Sequence, residues 1–227
     1  MTDKHSKRYR KCLESVPAEA VPVAKAVEIV KGFPVGKFDP TVELVMNLGI
    51  DPRQAEQNIR GAVSLAHGIG VTRKVIAFCD GGDAAAAKAA GAIEAGLDEL
   101  IDKIQKGWAD FDVAVATPGT MRSVSKLGRV LGPQGKMPSP KAGTVVDNIV
   151  QAVKEYSAGK VEYRNDDGGN LHVPVGKQSF DAQKLTENVE QFLAHIKKLK
   201  PTSSKGTYMK KVCLSTTTSP SVRIDVA

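Results

Sequence analysis

The sequence predicts an α/β protein of two domains, the first of them discontinuous. Three observations carry this. Apolar residues alternate with polar ones near both ends of the chain, the mark of an antiparallel sheet with one wet face. Between those regions, short unalternated apolar runs are separated by helical patterns, as βαβ units require. Neither outer region holds enough elements to bury a core alone, so the two are expected to combine rather than stand as separate modules. The expected boundaries are residues 1–67 plus 160–227 for the first, α+β domain and 68–159 for the inserted one.

Val23, Ala26, Val27 and Val30 stand at i, i+3, i+4 and i+7, so residues 22–31 read as a helix, ended by Gly32 and Pro34. From Phe38 the period falls to two, with Val42, Leu44, Met46, Leu48 and Ile50 on one face of a strand that Asp51-Pro52-Arg53 breaks. An extended pattern resumes over Gly61–Leu65. After His67-Gly68-Ile69-Gly70, the run Lys74–Cys79 reads as a buried strand. The Ala-rich Asp83–Ala90, a short run at 91–95 and a helical pattern at Leu97, Leu100, Ile101 and Ile104 follow. Asp112–Thr117 is another buried strand, a helix-like stretch continues to Val130, and a helix near 147–157 closes a Rossmann-like block. Val161–Arg164 and Leu171–Val175 flank Asn165–Asn170, a hairpin signal, and Pro174 suggests an edge strand or a strand end. Asp181 suits the cap of a long helix with Leu185, Val189, Phe192, Leu193 and Ile196 on one face. Strands near Tyr208–Leu214 and Val222–Val226, joined by the polar run Ser215–Ser221, complete the chain. The two passages between domains, at Gly68 and Gly70 and at Gly159, are expected to form a hinge.

Composition narrows the function. The 227 residues carry 32 Lys+Arg against 25 Asp+Glu, a formal net charge of +7, and such a field attracts polyanions before any specific contact forms. No apolar run reaches the roughly 18–20 residues of a membrane span, and the basic N-terminus lacks the apolar stretch of a secretory signal. A soluble, intracellular protein is expected. Cys12, Cys79 and Cys213 are far apart and form no CxxC pattern, so they read as buried small hydrophobes rather than as a disulfide frame or zinc site. His5, His67, His172 and His195 form no HxxxH pair, no nucleophile motif is present, and Gly68-Ile69-Gly70 precedes its strand and lacks the third glycine of a dinucleotide fingerprint. Neither catalysis, a metal nor a cofactor is expected.

Three segments are candidates for anion or RNA contact. Lys126–Lys141 sets Gly128, Arg129, Gly132, Pro133, Gly135, Lys136 and Lys141 in a stretch where no regular element should persist. It reads equally as a phosphate-approaching loop or a rigid solvated connection. Gly36–Thr41 places Lys37 and Phe38 at the mouth of a half-exposed strand, where Phe38 either stacks on a base or sugar or plugs the core. Ser215, Thr216, Thr217, Thr218 and Ser219 present short hydroxyls on a turn, suited to phosphate and 2′-hydroxyl groups or simply to a polar hairpin loop.

Several motifs occur in a fixed order: Lys7-Arg8-Tyr9-Arg10, Phe38-Asp39-x-Thr41-Val42-Glu43, Leu48-Gly49-Ile50-Asp51-Pro52-Arg53, Gln57-Asn58-Ile59-Arg60-Gly61, Leu127-Gly128-Arg129-x-Leu131-Gly132-Pro133-x-Gly135-x-Met137-Pro138, Gly143-Thr144-Val145 and Lys205-Gly206-Thr207-Tyr208. End to end, this resembles the L-one family of bacterial large-subunit ribosomal proteins, the proteins of the mobile ribosomal stalk. The resemblance implies a cytoplasmic protein, monomeric when free and seated among other ribosomal components. It also implies binding to large-subunit rRNA, contact with deacylated tRNA at the exit site, and repression of its own operon's mRNA. Carried over position by position, it puts Lys37, Phe38, Thr41 and Glu43 on a first RNA patch and Ser215, Thr216 and Thr217 on a C-terminal one. Arg164, Asp166 and His172 are further candidates. The family's Thr-Met-Gly stands here as Thr217-Thr218-Ser219, which removes an apolar contact and adds a Cβ, and Gln134 stands where a basic residue is usual.

Overall fold

The computed structural model describes residues 5–226. The chain divides into two compact units, one made of the residues up to Gly70 and from Val161 onward, the other of Val71–Lys160. In chain order the first unit opens with helices α1 (Lys7–Glu14) and α2 (Val23–Lys31) and strands β1 (Thr41–Leu48) and β2 (Arg60–Val63). The second unit holds β3 (Val75–Phe78), α3 (Gly81–Ala89), β4 (Glu94–Gly96), α4 (Asp98–Gln105), β5 (Val113–Ala116), α5 (Met121–Val124), α6 (Gly128–Leu131) and α7 (Ile149–Ser157). The chain then returns to the first unit with β6 (Val161–Arg164), β7 (Asn170–Lys177), α8 (Ala182–Lys198), β8 (Met209–Thr216) and β9 (Val222–Ile224).

The first unit is built on an antiparallel sheet of order β7-β1-β8-β9. Alternation in β1 buries Val42, Leu44, Met46 and Leu48 and leaves Thr41, Glu43, Val45 and Asn47 on the opposite face. Helices α2 and α8 pack on each other and on the inner face, where Val27, Val30, Val189, Phe192 and Ile196 meet the strand residues in one core. Asp181 caps α8 by accepting from the Ala182 N–H at 2.7 Å. Pro174 lies on β7, an edge strand, opposite a bulge between Val42 and Glu43, where its missing N–H costs no ladder bond.

The second unit has a parallel sheet of order β4-β3-β5. Every residue of β3 and β5 is buried, as strands covered on both faces must be. Ile76, Phe78, Ala114 and Ala116 pack with Leu100, Ile101 and Ile104 of α4 and with Leu127 and Leu131.

Four local expectations are corrected. The helix-like stretch to Val130 breaks into α5, a 3-10 turn at Ser125–Leu127 and α6. The Gly/Pro segment is not devoid of regular structure: Leu127 and Leu131, four residues apart, both sink into the core and draw Gly128–Leu131 into a helical turn, and Pro140–Ala142 forms a 3-10 turn. The hairpin at Asn165–Asn170 forms only at its turn, where Asn165 and Leu171 bridge antiparallel, and beyond it the strands join different sheets, β6 pairing with β2 and β7 with β1. Cys213 is only half-buried, because its position on β8 faces away from the core.

Helix α1 has no counterpart in the sequence reading. It buries only Cys12, so it shows no apolar stripe, yet Ser6 caps it by accepting from the Tyr9 N–H at 3.3 Å. No helix among the described residues is long and apolar enough to cross a membrane, and no group of three or more His, Cys, Asp or Glu gathers as a metal site there.

Candidate nucleic-acid interface

The outer face of the β7-β1-β8-β9 sheet is set by register. Residues directly opposite one another share a face, so Thr41 lies with Lys177, Glu43 with Ser215, Val45 with His172 and Cys213, and Asn47 with Asn170 and Lys211. Arg223 of β9 joins the row of Cys213. A shallow polar surface results, with hydroxyls at one end and amides and cations at the other.

At the hydroxyl end, three chain segments are tied together. The Thr41 N–H donates to Thr217 Oγ1 at 3.1 Å and the Thr217 N–H donates to the Thr41 carbonyl at 3.2 Å. Lys177 Nζ donates to Thr41 Oγ1 at 2.8 Å. Asp39 accepts from the Ser179 N–H at 3.2 Å and from its hydroxyl at 2.6 Å, which fixes the loop that carries Lys37 and Phe38. Phe38 is 52% exposed, so it does not plug the core and its ring is free to stack. Lys37 is exposed beside it.

Thr216 is corrected. It lies opposite Val42 on the inner face and is buried, while Ser215 and Thr217 point outward. Its part is structural, through an N–H that donates to Ser219 Oγ at 3.0 Å. Ser219 also donates to the Pro220 carbonyl, so its hydroxyl shapes the turn, and Thr218 stands exposed at the tip.

Arg164, Asp166 and His172 lie away from this end. Asp166 accepts from the N–H groups of Gly168 (2.9 Å) and Asn170 (2.6 Å) and from the Asn170 side chain (2.9 Å). The Asn170 bonds above all hold its carboxyl below the usual range. It organises the turn with its acceptors largely spent. His172 is exposed in the middle row, and Arg164 is exposed directly opposite Arg60.

The Gly/Pro segment belongs to the second unit. Arg129, Gly132, Pro133, Gly135 and Lys141 are exposed and Gly128 is half-buried. Lys136 is corrected: its Nζ donates to the Ala109 carbonyl at 2.9 Å and sits 5.0 Å above the Phe111 ring, so it is spent inside its own unit. Gly68 and Gly70 have positive φ and lie in the first unit, where buried Asn188 bonds the His67 N–H and the Gly68 carbonyl. Gly159, with φ of 100°, follows α7 at the end of the second unit.

Three residues escaped the sequence reading of the site. Lys177 becomes visible only through the β1–β7 register. Arg60 shows itself as an exposed cation directly facing another, an arrangement that costs stability without an anion nearby. Arg8 extends from α1 to within 3.5 Å of where a Cβ at Gly36 would stand, beside Phe38, and the basic run Lys7–Lys11 was its only signal.

A model of the ribosomal protein L1p/L10e family matches residues 29–220. The large ribosomal subunit protein uL1 of Kosmotoga olearia is 48% identical over 223 residues, 98% of this chain and 96% of that relative. With four-fifths of its length inside the family match, the chain belongs to the ribosomal protein L1p/L10e family.

Proposed function

We propose that this chain grips the rRNA of the mobile stalk of the large ribosomal subunit through the outer face of its first unit. A member of this family is a ribosomal protein and not an enzyme, a constituent of the ribosome in the cytoplasm. The observation that carries the finer reading is the convergence of Thr41, Lys177 and Thr217 with exposed Lys37 and Phe38 at one end of an otherwise solvated sheet. Lysines there supply affinity and salt dependence, while the aromatic ring and the hydroxyls supply position. Glu43 cannot meet a phosphate, but its carboxylate accepts from a 2′-hydroxyl or a base amino group. This is recognition of RNA by shape and sugar, since the A-form major groove is too deep and narrow for side chains to read.

The same surface would bind a mimic of that rRNA site in the mRNA of the chain's own operon and so repress its translation, and the protein would assist release of deacylated tRNA from the exit site. The first unit, expected from both chain ends, is the RNA-binding domain in this reading, and the inserted unit moves relative to it about the passages at Gly70 and Gly159. Family likeness supports these roles.

The test is a competition titration at two salt concentrations, with labelled stalk rRNA fragment challenged by excess unrelated structured RNA. Retention of the fragment by the intact protein and its loss by Phe38→Ala support the reading. Displacement of the fragment by the unrelated RNA, with salt abolishing all binding, sinks it.

A further inference from the structure

Beyond the Val212–Ile224 pair the last two strands of the first unit's sheet part. Residues 225–226 leave β8 to follow Val21, whose N–H donates to the Arg223 carbonyl at 3.0 Å and whose carbonyl accepts from the Asp225 N–H at 2.9 Å. The parting opens a cavity of about 170 Å³ between Met209–Val212 on one side and Arg223–Val226 on the other. Lys210, Lys211 and Arg223 line it against a single carboxylate, Asp225. None of these three cations makes an ion pair among the described residues, although Lys74, Lys103 and Lys160 elsewhere all do.

Lysines on a sheet edge are commonly there to discourage pairing with another strand. That role explains Lys210 and Lys211, but it needs neither a cavity nor Arg223, which stands on the outer face in the row of Cys213. Lys210 directs its stem toward Gly49, which leaves Lys211 and Arg223, both on the outer face, as the cations of the recess. A guanidinium with an ammonium group and little opposing charge suits a tetrahedral oxyanion. On this side of β8 no strand pairs with Met209–Lys211, so backbone groups of that stretch also face the recess.

We propose that the recess takes a backbone phosphate of RNA lying on the outer face of the sheet. The proposal rests on the RNA reading above and adds a second anchor to it. Lys211 on β8 stands six residues from Thr217, just past the strand's end, roughly 20 Å at the usual rise of a strand. The two ends of the face therefore hold different stretches of the same RNA, with His172, Cys213 and Arg223 between them.

The test uses the full-length protein and the stalk rRNA fragment, with affinity measured over a series of salt concentrations. The double variant Lys211→Gln with Arg223→Gln is expected to bind about tenfold more weakly at low salt. The slope of log affinity against log salt should fall by about one phosphate's share, close to 0.7–0.9. Arg223→Lys, which keeps the charge, should keep the slope. If the double variant matches the unaltered protein while Phe38→Ala loses binding, the recess is not a phosphate site and the RNA reading stands. If the unaltered protein does not prefer the fragment over unrelated RNA, the RNA reading falls and takes this anchor with it.

Discussion

Thr41 and Thr217, 176 positions apart, hold each other by a reciprocal pair of hydrogen bonds that joins the start of β1 to the end of β8. Each bond uses a backbone donor. Thr217 Oγ1 therefore accepts from the protein while keeping its own O–H to donate outward. The same hydroxyl braces the sheet and remains available to RNA.

Thr217→Ala removes the brace and, on the proposed reading, the outward donor as well. Binding of the stalk rRNA fragment should weaken by about 1–3 kcal/mol, with a smaller loss of thermal stability from the freed Thr41 N–H. Thr217→Ser, which retains the oxygen, should restore most of both. Filter binding and a melting curve on the three proteins check this, and an Ala variant with unaltered RNA affinity would remove the C-terminal patch from the interface.

Phe38 is half-exposed, so its truncation should cost no more than about 0.5 kcal/mol of folding stability. A stacked ring is worth about 1–3 kcal/mol in RNA binding. Phe38→Ala should thus separate the two quantities, and Phe38→Trp should retain affinity. Parallel losses in urea unfolding and RNA titration would mean the ring serves packing after all.

Asn188 is fully buried in α8 and satisfies three backbone groups: its Oδ1 accepts from the His67 N–H, and its Nδ2 donates to the Gly68 and Val175 carbonyls at 3.0 and 2.9 Å. Asn188→Ala strands those groups and should destabilise the first unit by about 2 kcal/mol or more. Amide exchange at residues 66–68 should quicken beyond what the global loss explains. Unchanged exchange there would show the segment to be held by other contacts.

His195 accepts or donates a 2.8 Å bond with the Tyr163 hydroxyl beneath the β2–β6 ribbon, and burial, aided by the nearby Lys198 charge, lowers its pKa. Its neutral form is favoured on folding. The contribution is complete above the unfolded value of about 6.5 and is lost as pH falls through the lowered folded value. Between pH 7.5 and 5 the urea midpoint should drop further for the unaltered protein than for His195→Gln. Equal drops would assign the acid sensitivity to other groups.

The fold was legible where a single periodicity governs. The alternation from Val42 to Leu48 foretells β1 and its buried face, and the unbroken runs at Val75 and Val113 foretell strands covered on both sides. Pairing was less legible. The Asn165–Asn170 turn looks like a hairpin, but whether the strands beyond it stay together is decided by partners about a hundred residues away or more. The candidate site divides the same way. Phe38 and Thr217 announced themselves by type, whereas the inward turn of Thr216 and the arrival of Lys177 beside Thr41 follow from register. Lys136 looked free because its partner, the Ala109 carbonyl, is a backbone group that composition cannot reveal.

Strand β1 lies between β7 and β8, both made after the inserted unit. On the ribosome that synthesises it, β1 therefore waits with both edges open while more than a hundred further residues are added, and the inserted unit is complete before either partner strand is made. Thr41 and Thr217 meet only when synthesis is nearly over. A truncated product would carry the basic N-terminal segment but no assembled hydroxyl patch, so the closing of the sheet is itself the mark of a finished chain.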